Sequence, residues 1–255
     1  MILGVDVGGT NIDIVVFENN KFKHVATYST KKDFSRLNEI LNKLIKDLNI
    51  KKIGIGIAGW IKKGKIIKAP NLPFYNINFD LKAPFFMDND ANCFALYSAK
   101  HFGCKTLIGI TVGTGIGTGI VINGKIFKGE GLAGEIGHWV IGGNKICKCG
   151  GIGHLECYFS GWIIEEKFGR KVIELFKTGE IYKIEGFRVF CIAVANAITL
   201  LDPEAVVFGG RIGGNINVEK LKNEIYRYLM DGFEPKIFTL NDPLAVAKGA
   251  CFLTL

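Results

Sequence analysis

The chain contains no run of serine or proline that would mark a linker, and no block of five or more basic residues. The first absence argues against domains strung on a tether. The second, together with the lack of a zinc-finger or helix-turn-helix unit, argues against nucleic acid as a partner. The 32 Lys and Arg against 24 Asp and Glu leave a formal charge of +8, which reads as a solvated lysine-rich surface that favours anionic ligands such as nucleotides or sugar phosphates. An unbroken apolar span is missing too. The uncharged stretch from Thr106 to Asn123 approaches the length of a membrane helix, but Gly109, Gly113, Gly115, Gly117 and Gly119 interrupt it, leaving two short strands joined by a glycine turn. The opening "MILGVDVGGTNIDIVVF" has neither a basic start nor a signal segment, so a cytoplasmic protein with no membrane association is expected.

What is present suits a large core. At 255 residues, 48% of them hydrophobic, the chain can form one big domain or two lobes. Seven cysteines at 93, 104, 147, 149, 157, 191 and 251 make an odd, uneven set, which points to reduced thiols with a local metal cluster rather than a disulfide framework. Residues 2–7 and 11–17 are β-rich runs around Gly8-Gly9-Thr10, a strand, turn and strand, and a third strand is expected over 23–30. Apolar positions from Leu37 to Leu48 fall at helical spacing, and "KIGIGIA" from Lys52 reads as a buried strand, so a helix lies on a sheet. After a loop over 70–84, the strand "PFFMD" leads to a helix that Asn89 or Asp90 can cap. A second strand, turn and strand follows at 106–122. Helices are predicted over 160–168, 184–201, 218–231 and 243–254, with "AVVFGGRIGG" a strand and glycine turn.

Each glycine turn can offer backbone N–H groups to phosphate oxygens, because no side chain blocks the approach. A single such turn is more often a plain hairpin that uses glycine for its positive φ. Three in one chain, the first led by Asp6, where a carboxylate can hold Mg2+ or its waters, shift the balance toward a nucleotide.

At this point the sequence resembles the sugar kinases of the ROK group (repressor, open reading frame, kinase), within the actin-like and hexokinase-like ATPases. "DVGGT" at 6–10, "TVGTGIGTGIVINGKIFKG" at 111–129 and "FGGRIGG" at 208–214 are similar to the phosphate and adenosine turns of that family. "NLP" at 71–73, "NDAN" at 89–92, "GEIGH" at 134–138 and "CKCGGIGHLE" at 147–156 are similar to its sugar and zinc motifs, in family order. The resemblance implies an α/β, two-lobed, actin-like ATPase (ribonuclease H-like) fold with the active site in the interlobe cleft. Residues 1–92, completed by 243–255, would form the small lobe, and 93–242 the large lobe with a zinc-binding loop. It implies ATP held by Asp6, Gly8, Gly9, Thr10, Asn11, Thr111, Gly113, Thr114, Gly115, Gly209 and Gly210. A sugar would be bound by Gly59, Asn71, Asn89, Asp90, Glu135, His138 and Glu156, with Trp60 narrowing the pocket. Asp90 is the implied catalytic base, kept ionised by the helix N-terminus beside it. Glucose is the first acceptor expected by family frequency, with fructose, mannose, allose and N-acetylhexosamines as alternatives. The chain starts without the winged DNA-binding extension of the family's repressors, so a kinase is expected over a non-catalytic sugar sensor. A homodimer or homotetramer is the implied assembly.

The family's metal pattern is His, Cys-x-Cys and a third Cys five residues on. Here His138, Cys147 and Cys149 match, but the last position holds His154, with Cys157 as an alternative fourth ligand. Neutral imidazole binds Zn2+ about as readily as thiolate, and four protein ligands close the shell, so a structural rather than catalytic zinc is expected.

Overall fold

The computed structural model describes residues 1–70, 72 and 77–255; Asn71, expected to bind sugar, lies outside the described residues. The first half runs β1 (Ile2–Val7), β2 (Asn11–Glu18), β3 (Lys21–Ser29), α1 (Thr30–Asp33), α2 (Leu37–Asp47), β4 (Lys52–Ile57), β5 (Trp60–Lys62), β6 (Lys65–Lys68), β7 (Phe85–Asn89) and α3 (Asp90–Phe102). The second runs β8 (Leu107–Val112), β9 (Ile116–Ile122), β10 (Lys125–Phe127), α4 (Gly161–Phe168), α5 (Val172–Thr178), α6 (Glu185–Leu201), β11 (Ala205–Gly209), α7 (Gly210–Gly213), α8 (Val218–Tyr226), β12 (Lys236–Thr239) and α9 (Ala245–Phe252).

Two five-stranded sheets result, ordered β3-β2-β1-β4-β7 and β10-β9-β8-β11-β12. In each, an antiparallel meander continues into parallel strands, β4 and β7 in the first, β11 and β12 in the second. Strands β1, β4 and β7 therefore end together, with Val7 beside Ile57 and Ile57 beside Asn89. Likewise Thr111 at the end of β8 lies beside Gly209 at the end of β11. Ligands of open α/β sheets bind outside such carboxyl ends, where the loops are not committed to the ladder.

The two sheets meet through two helices. On the first sheet, α9 lies so close that a Cβ on Gly54 would sit 1.7 Å from the Ala250 carbonyl oxygen. On the second, α3 covers β8 and β9, where a Cβ on Gly119 would sit 2.5 Å from the Ala91 carbonyl oxygen. The helices then touch each other backbone to backbone: a Cβ on Gly249 of α9 would fall 1.8 Å from the Cys93 carbonyl oxygen of α3. The buried apolar side chains divide accordingly, Leu3, Val5, Ile53 and Ile55 packing with Leu41 of α2, and Ile108, Ile110, Val206 and Phe208 packing with Phe190 and Val194 of α6.

Several elements differ from expectation. The helix predicted over 218–231 stops at Tyr226, because Tyr228 N bonds to Ile225 O and Leu229 N to Tyr226 O, closures that tighten the chain beyond an α-turn. Helix α5 had no clear signal in the pattern; it is one short amphipathic piece anchored by buried Val172 and Leu175. The β5–β6 hairpin turns on Lys63 (φ 51°) and Gly64 (φ 72°), the paired positive values of a two-residue hairpin turn. Among the described residues, no helix is long and apolar enough to cross a membrane.

Candidate active site and metal centre

The Asn89–Asp90 corner sits at the carboxyl edge of the first sheet. Asn89, not Asp90, is the N-cap of α3: its side-chain oxygen accepts the Ala91 and Asn92 amides at 2.8 and 3.3 Å. Its amide nitrogen donates to the Gly59 carbonyl at 2.9 Å, which ties the end of β7 to the residue after β4 and explains why Gly59 falls beside Asn89. Asp90 opens the helix with Oδ1 accepting the Ala91 amide at 2.9 Å.

The helix N-terminus does not govern Asp90 as expected. Burial raises its carboxyl to about pKa 6, outweighing the opposing amide hydrogen bonds of Ala91 and Asp90 itself and that of the Asn89 side chain. Two more carboxyls share this environment. Asp6 is raised well above the usual range by burial and then by the negative charges of Asp90 and Asp13. Glu135 is pushed up to about 7 by burial, then by Asp90 and Glu156. Asp90 is thus a charge felt both by the acid of the first glycine turn and by that of the GEIGH turn.

The glycine turns behave differently from the hairpin picture. Gly8, Gly9, Gly113 and Gly115 are not among the residues with positive φ; of the turn glycines expected at the nucleotide, only Gly210 has it, at 77°. A Cβ on Gly113 would meet nothing within 4 Å, whereas one on Gly115 would lie 2.6 Å from Glu156 Oε2. The first turn closes through Gly8 N to Asn11 O at 3.0 Å, and Thr30 holds its far side, Oγ1 donating to Gly8 O at 2.7 Å and N to Thr10 O at 2.9 Å. In the second, Gly113 N donates to Gly115 O at 3.0 Å, while the Gly161 and Trp162 amides that open α4 donate to the carbonyls of Gly113 and Thr114 at 2.8 and 3.4 Å. The support from Thr30 and from α4 was not legible beforehand, since both lie far away in sequence. Thr111 and Gly209 are ladder partners, which sets Gly209–Gly210 beside the second turn.

Between β10 and α4 the chain folds into a cysteine and histidine knuckle. Isolated bridges pair Val140 with His154 and Ile146 with Ile152, and Cys147 N donates to Gly151 O at 2.7 Å across the turn. One ligand atom from each of His138, Cys147, Cys149 and His154 lies within 4.8 Å of all the others. Nδ1 of His138 is 3.3 Å from Nδ1 of His154 and 3.8 Å from Cys147 Sγ, and Cys149 Sγ is 3.2 Å from His154 Nδ1. The alternative ligand Cys157 is not in this group: its thiol points at the Lys145 carbonyl, 3.8 Å away. Burial, partly offset by Glu156, lowers the His138 pKa and so favours the neutral imidazole that can ligate a metal. Cys147 is buried, and desolvation raises its thiol far above the ordinary value.

Glu156 stands between this knuckle and the second glycine turn. Its Oε1 accepts from the Cys147 thiol at 3.1 Å and its Oε2 from the Ile116 amide at 3.2 Å. On the other side of the cluster, His138 Nε2 is 3.9 Å from Glu135 Oε2, and the Trp60 ring meets the His138 ring edge-on at 5.6 Å. Gly59, Trp60, Asn89, Asp90, Glu135 and His138 are thereby linked through contacts or charge. Asp88, directly before the Asn89–Asp90 corner, forms an ion pair with Lys128, near the end of the 111–129 motif; neither is among the expected site residues.

Comparison with known proteins bears on this geometry. An N-acetyl-D-glucosamine kinase of Photobacterium profundum is 31% identical, over all of this chain and 99% of that protein. A xylose repressor of Caldicellulosiruptor bescii is 31% identical over 88% of this chain and 69% of that protein. Among solved structures, the ROK hexokinase from Thermus thermophilus superposes with a TM-score of 0.79 at 26% identity, covering 99% of this chain and 97% of that one. A ROK family glucokinase from Streptomyces griseus, solved with glucose and AMPPNP, has the same TM-score at 23% identity, covering 99% and 98%, which speaks for the fold. The paired sheets are therefore those of the actin-like ATPase fold seen in ROK sugar kinases. With the ROK family model matching residues 2–249, the glycine turns, the Asn89–Asp90 corner and the cysteine and histidine knuckle fall within one continuous match, and the chain belongs to the ROK family.

Proposed function

We propose that the protein is an ATP-dependent sugar kinase that transfers the γ-phosphoryl group to the primary hydroxyl of a hexose or 2-acetamido hexose. The observation that carries this reading is Asp90: a buried carboxyl with a pKa of about 6, sensed by Asp6 at the phosphate turn and by Glu135 at the sugar motif. Phosphoryl transfer asks little covalent chemistry of a protein beyond holding the reactants in line and accepting the hydroxyl proton. A base with this pKa is mostly ionised at neutral pH, yet strong enough to take that proton as the bond to phosphorus forms.

In this reading the turns Gly8–Asn11 and Gly113–Gly115, with Gly209–Gly210, hold the nucleotide through backbone N–H groups. Asp6 suits a divalent cation, because its carboxyl is burdened by Asp90 and Asp13 and a positive charge relieves that repulsion. Bound Mg2+ would supply charge neutralisation at the phosphates. Asn89, Glu135, His138 and Glu156, with the Gly59 backbone, orient the sugar hydroxyls toward Asp90, and Asn71 remains a proposed contributor.

The donor set of the knuckle, two thiols and two imidazoles, fits Zn2+ in a closed tetrahedron. Such an ion would be structural, locking the knuckle. With Nδ1 of His138 given to the cluster, Nε2 carries the proton and presents a donor toward Glu135 and the sugar.

The kinases among the relatives move the first acceptor to test from glucose to N-acetyl-D-glucosamine. The decisive assay is ADP release with ATP and Mg2+ over a panel containing both sugars, mannose, fructose and allose. Sugar-dependent turnover that is lost in Asp90→Asn supports the reading. Sugar binding without turnover would turn it into a sensor, in keeping with the repressor among the relatives.

A further inference from the structure

Directly before the Asn89–Asp90 corner stands one half of an ion pair whose two residues are not among the expected site residues. Asp88 is 2% exposed, directly before Asn89. Its Oδ1 accepts the Asn89 amide at 2.8 Å and the Asn92 side-chain amide at 2.9 Å, which fastens the end of β7 to the first turn of α3. Its Oδ2 faces Lys128 Nζ at 2.5 Å. A carboxylate this deeply buried needs such compensation, since desolvation is costly unless the charge is paired and hydrogen-bonded.

Lys128 comes from the other sheet, one residue after β10, and works at both ends. While its ammonium meets Asp88, its carbonyl accepts the Gly131 and Ala133 amides at 2.7 and 3.1 Å. Those bonds fold the turn over 129–134, in which Gly129, Gly131 and Gly134 all have positive φ, and the turn delivers Glu135. Gly131 is wedged against the strand that follows Gly59, for a Cβ there would lie 2.8 Å from the Ile61 carbonyl oxygen. A cavity of about 250 Å³, lined in part by Ile61, Lys63, Met87 and Glu130, opens beside the pair.

We propose that Asp88 and Lys128 are a positioning pair that sets the spacing between the Asn89–Asp90 corner on the first sheet and the Glu135–His138 turn carried by the second. The inference rests on the sugar-kinase reading above. The pair touches no reacting atom. It acts through its two neighbours, Asn89 with Asp90 on one side and the turn ending at Glu135 on the other, and its loss separates groups that must grip one sugar together. The nucleotide turns are built from other contacts, so the effect belongs to the sugar.

Steady-state kinetics on Lys128→Met, Lys128→Arg, Asp88→Asn and the Asp88→Asn/Lys128→Met double variant test this. Lys128→Met and Asp88→Asn should each lower kcat/KM for the sugar by roughly 10- to 100-fold, the scale of a small misplacement at a reacting centre, with the ATP KM nearly unchanged. The double variant should be no worse than the poorer single one, because both remove the same contact, and Lys128→Arg should recover most of the activity. Unchanged sugar kinetics in Lys128→Met would overturn the proposal. So would equal losses toward sugar and ATP accompanied by a lower Tm, the mark of a merely structural bridge, or additive losses in the double variant. Wild-type ADP release with sugar, run alongside, separates the two readings: turnover by the wild type with an indifferent Lys128→Met removes the pair alone.

Discussion

The two sheets share one strand order but carry opposite chemistry. At the carboxyl edge of the first stand Asp6, Asn89 and Asp90; at the matching edge of the second stand Thr111, Gly113, Thr114, Gly115, Gly209 and Gly210, none of them acidic. The acids on the second side, Glu135 and Glu156, come from the insertion between β10 and α4. A repeated scaffold has thus been divided. One edge concentrates carboxyls, the groups proposed to meet the sugar hydroxyl and the cation, and the other offers the backbone amides proposed to meet the nucleotide. Burial raises Asp6 and Asp90 on the acidic edge, Asp6 under the charge of Asp90 as well, and it raises Glu135 of the insertion in the same direction.

Neutralising the acidic edge should have the largest effect. Asp90→Asn should lower kcat by about 100-fold or more, the usual scale for removing a general base, as read from ADP release at saturating sugar. The same substitution should stabilise the fold. A carboxyl with a raised folded pKa holds its proton more tightly in the native state, so the cost of ionising it begins above the unfolded value and is complete beyond the folded one. For Asp90 that window runs from 3.8 to about 6. The Tm advantage of Asp90→Asn over wild type should therefore open as pH rises through this window and persist at neutral pH; a constant difference from acid to neutral would contradict the burial argument. In wild type, kcat/KM for the sugar should fall as pH drops below about 6.

Next in size is the knuckle that brings acids to the neutral edge. His154→Ala should sharply reduce bound zinc and raise the sugar KM by roughly 10-fold, while Cys157→Ala keeps its metal, both read by metal analysis and kinetics. Retained zinc in His154→Ala would remove that residue from the ligand set. The seam between the halves comes after this. Gly249→Ala should cost about 1–3 kcal/mol or more in urea unfolding, the range for overpacking, because its Cβ meets backbone that cannot move aside. Smallest is Asn89→Ala, with about 1 kcal/mol from the lost helix cap and a larger effect on sugar kinetics than on ATP.

Much of this arrangement could be read from residues alone. Strand ends carry their chemistry in short local motifs, so the Gly8–Asn11 and Gly113–Gly115 turns and the Asn89–Asp90 corner were visible as patterns. The candidate ligands could be picked out too, His154 included, because its spacing from Cys149 is a local property, and the structure gathers the four. What escaped notice depends on contacts between distant segments. The direction of the Asp90 shift is set by burial in the folded chain, against the local effect of a helix N-terminus. Glycine in these turns suggested positive φ, but at Gly8 and Gly115 it leaves room for the Asn11 carbonyl and the Glu156 carboxyl, which only the fold brings near. Asp88 and Lys128 are separated along the chain by a helix and three strands, so their pairing is a contact that neither flanking motif reports. Helix α8 continued its apolar pattern past Tyr226, while closures at Ile225 and Tyr226 ended it.

The backbone contact between Gly249 and Cys93 limits how the protein can be recombined. Where two helices meet with no side chain between them, the fit depends on both backbones at once. A hybrid that joins the first half of this chain to the second half of a relative must draw α3 and α9 from the same parent, because a mismatched pair would collide along the seam before either sheet could settle. The halves repeat one architecture, yet they are not exchangeable parts.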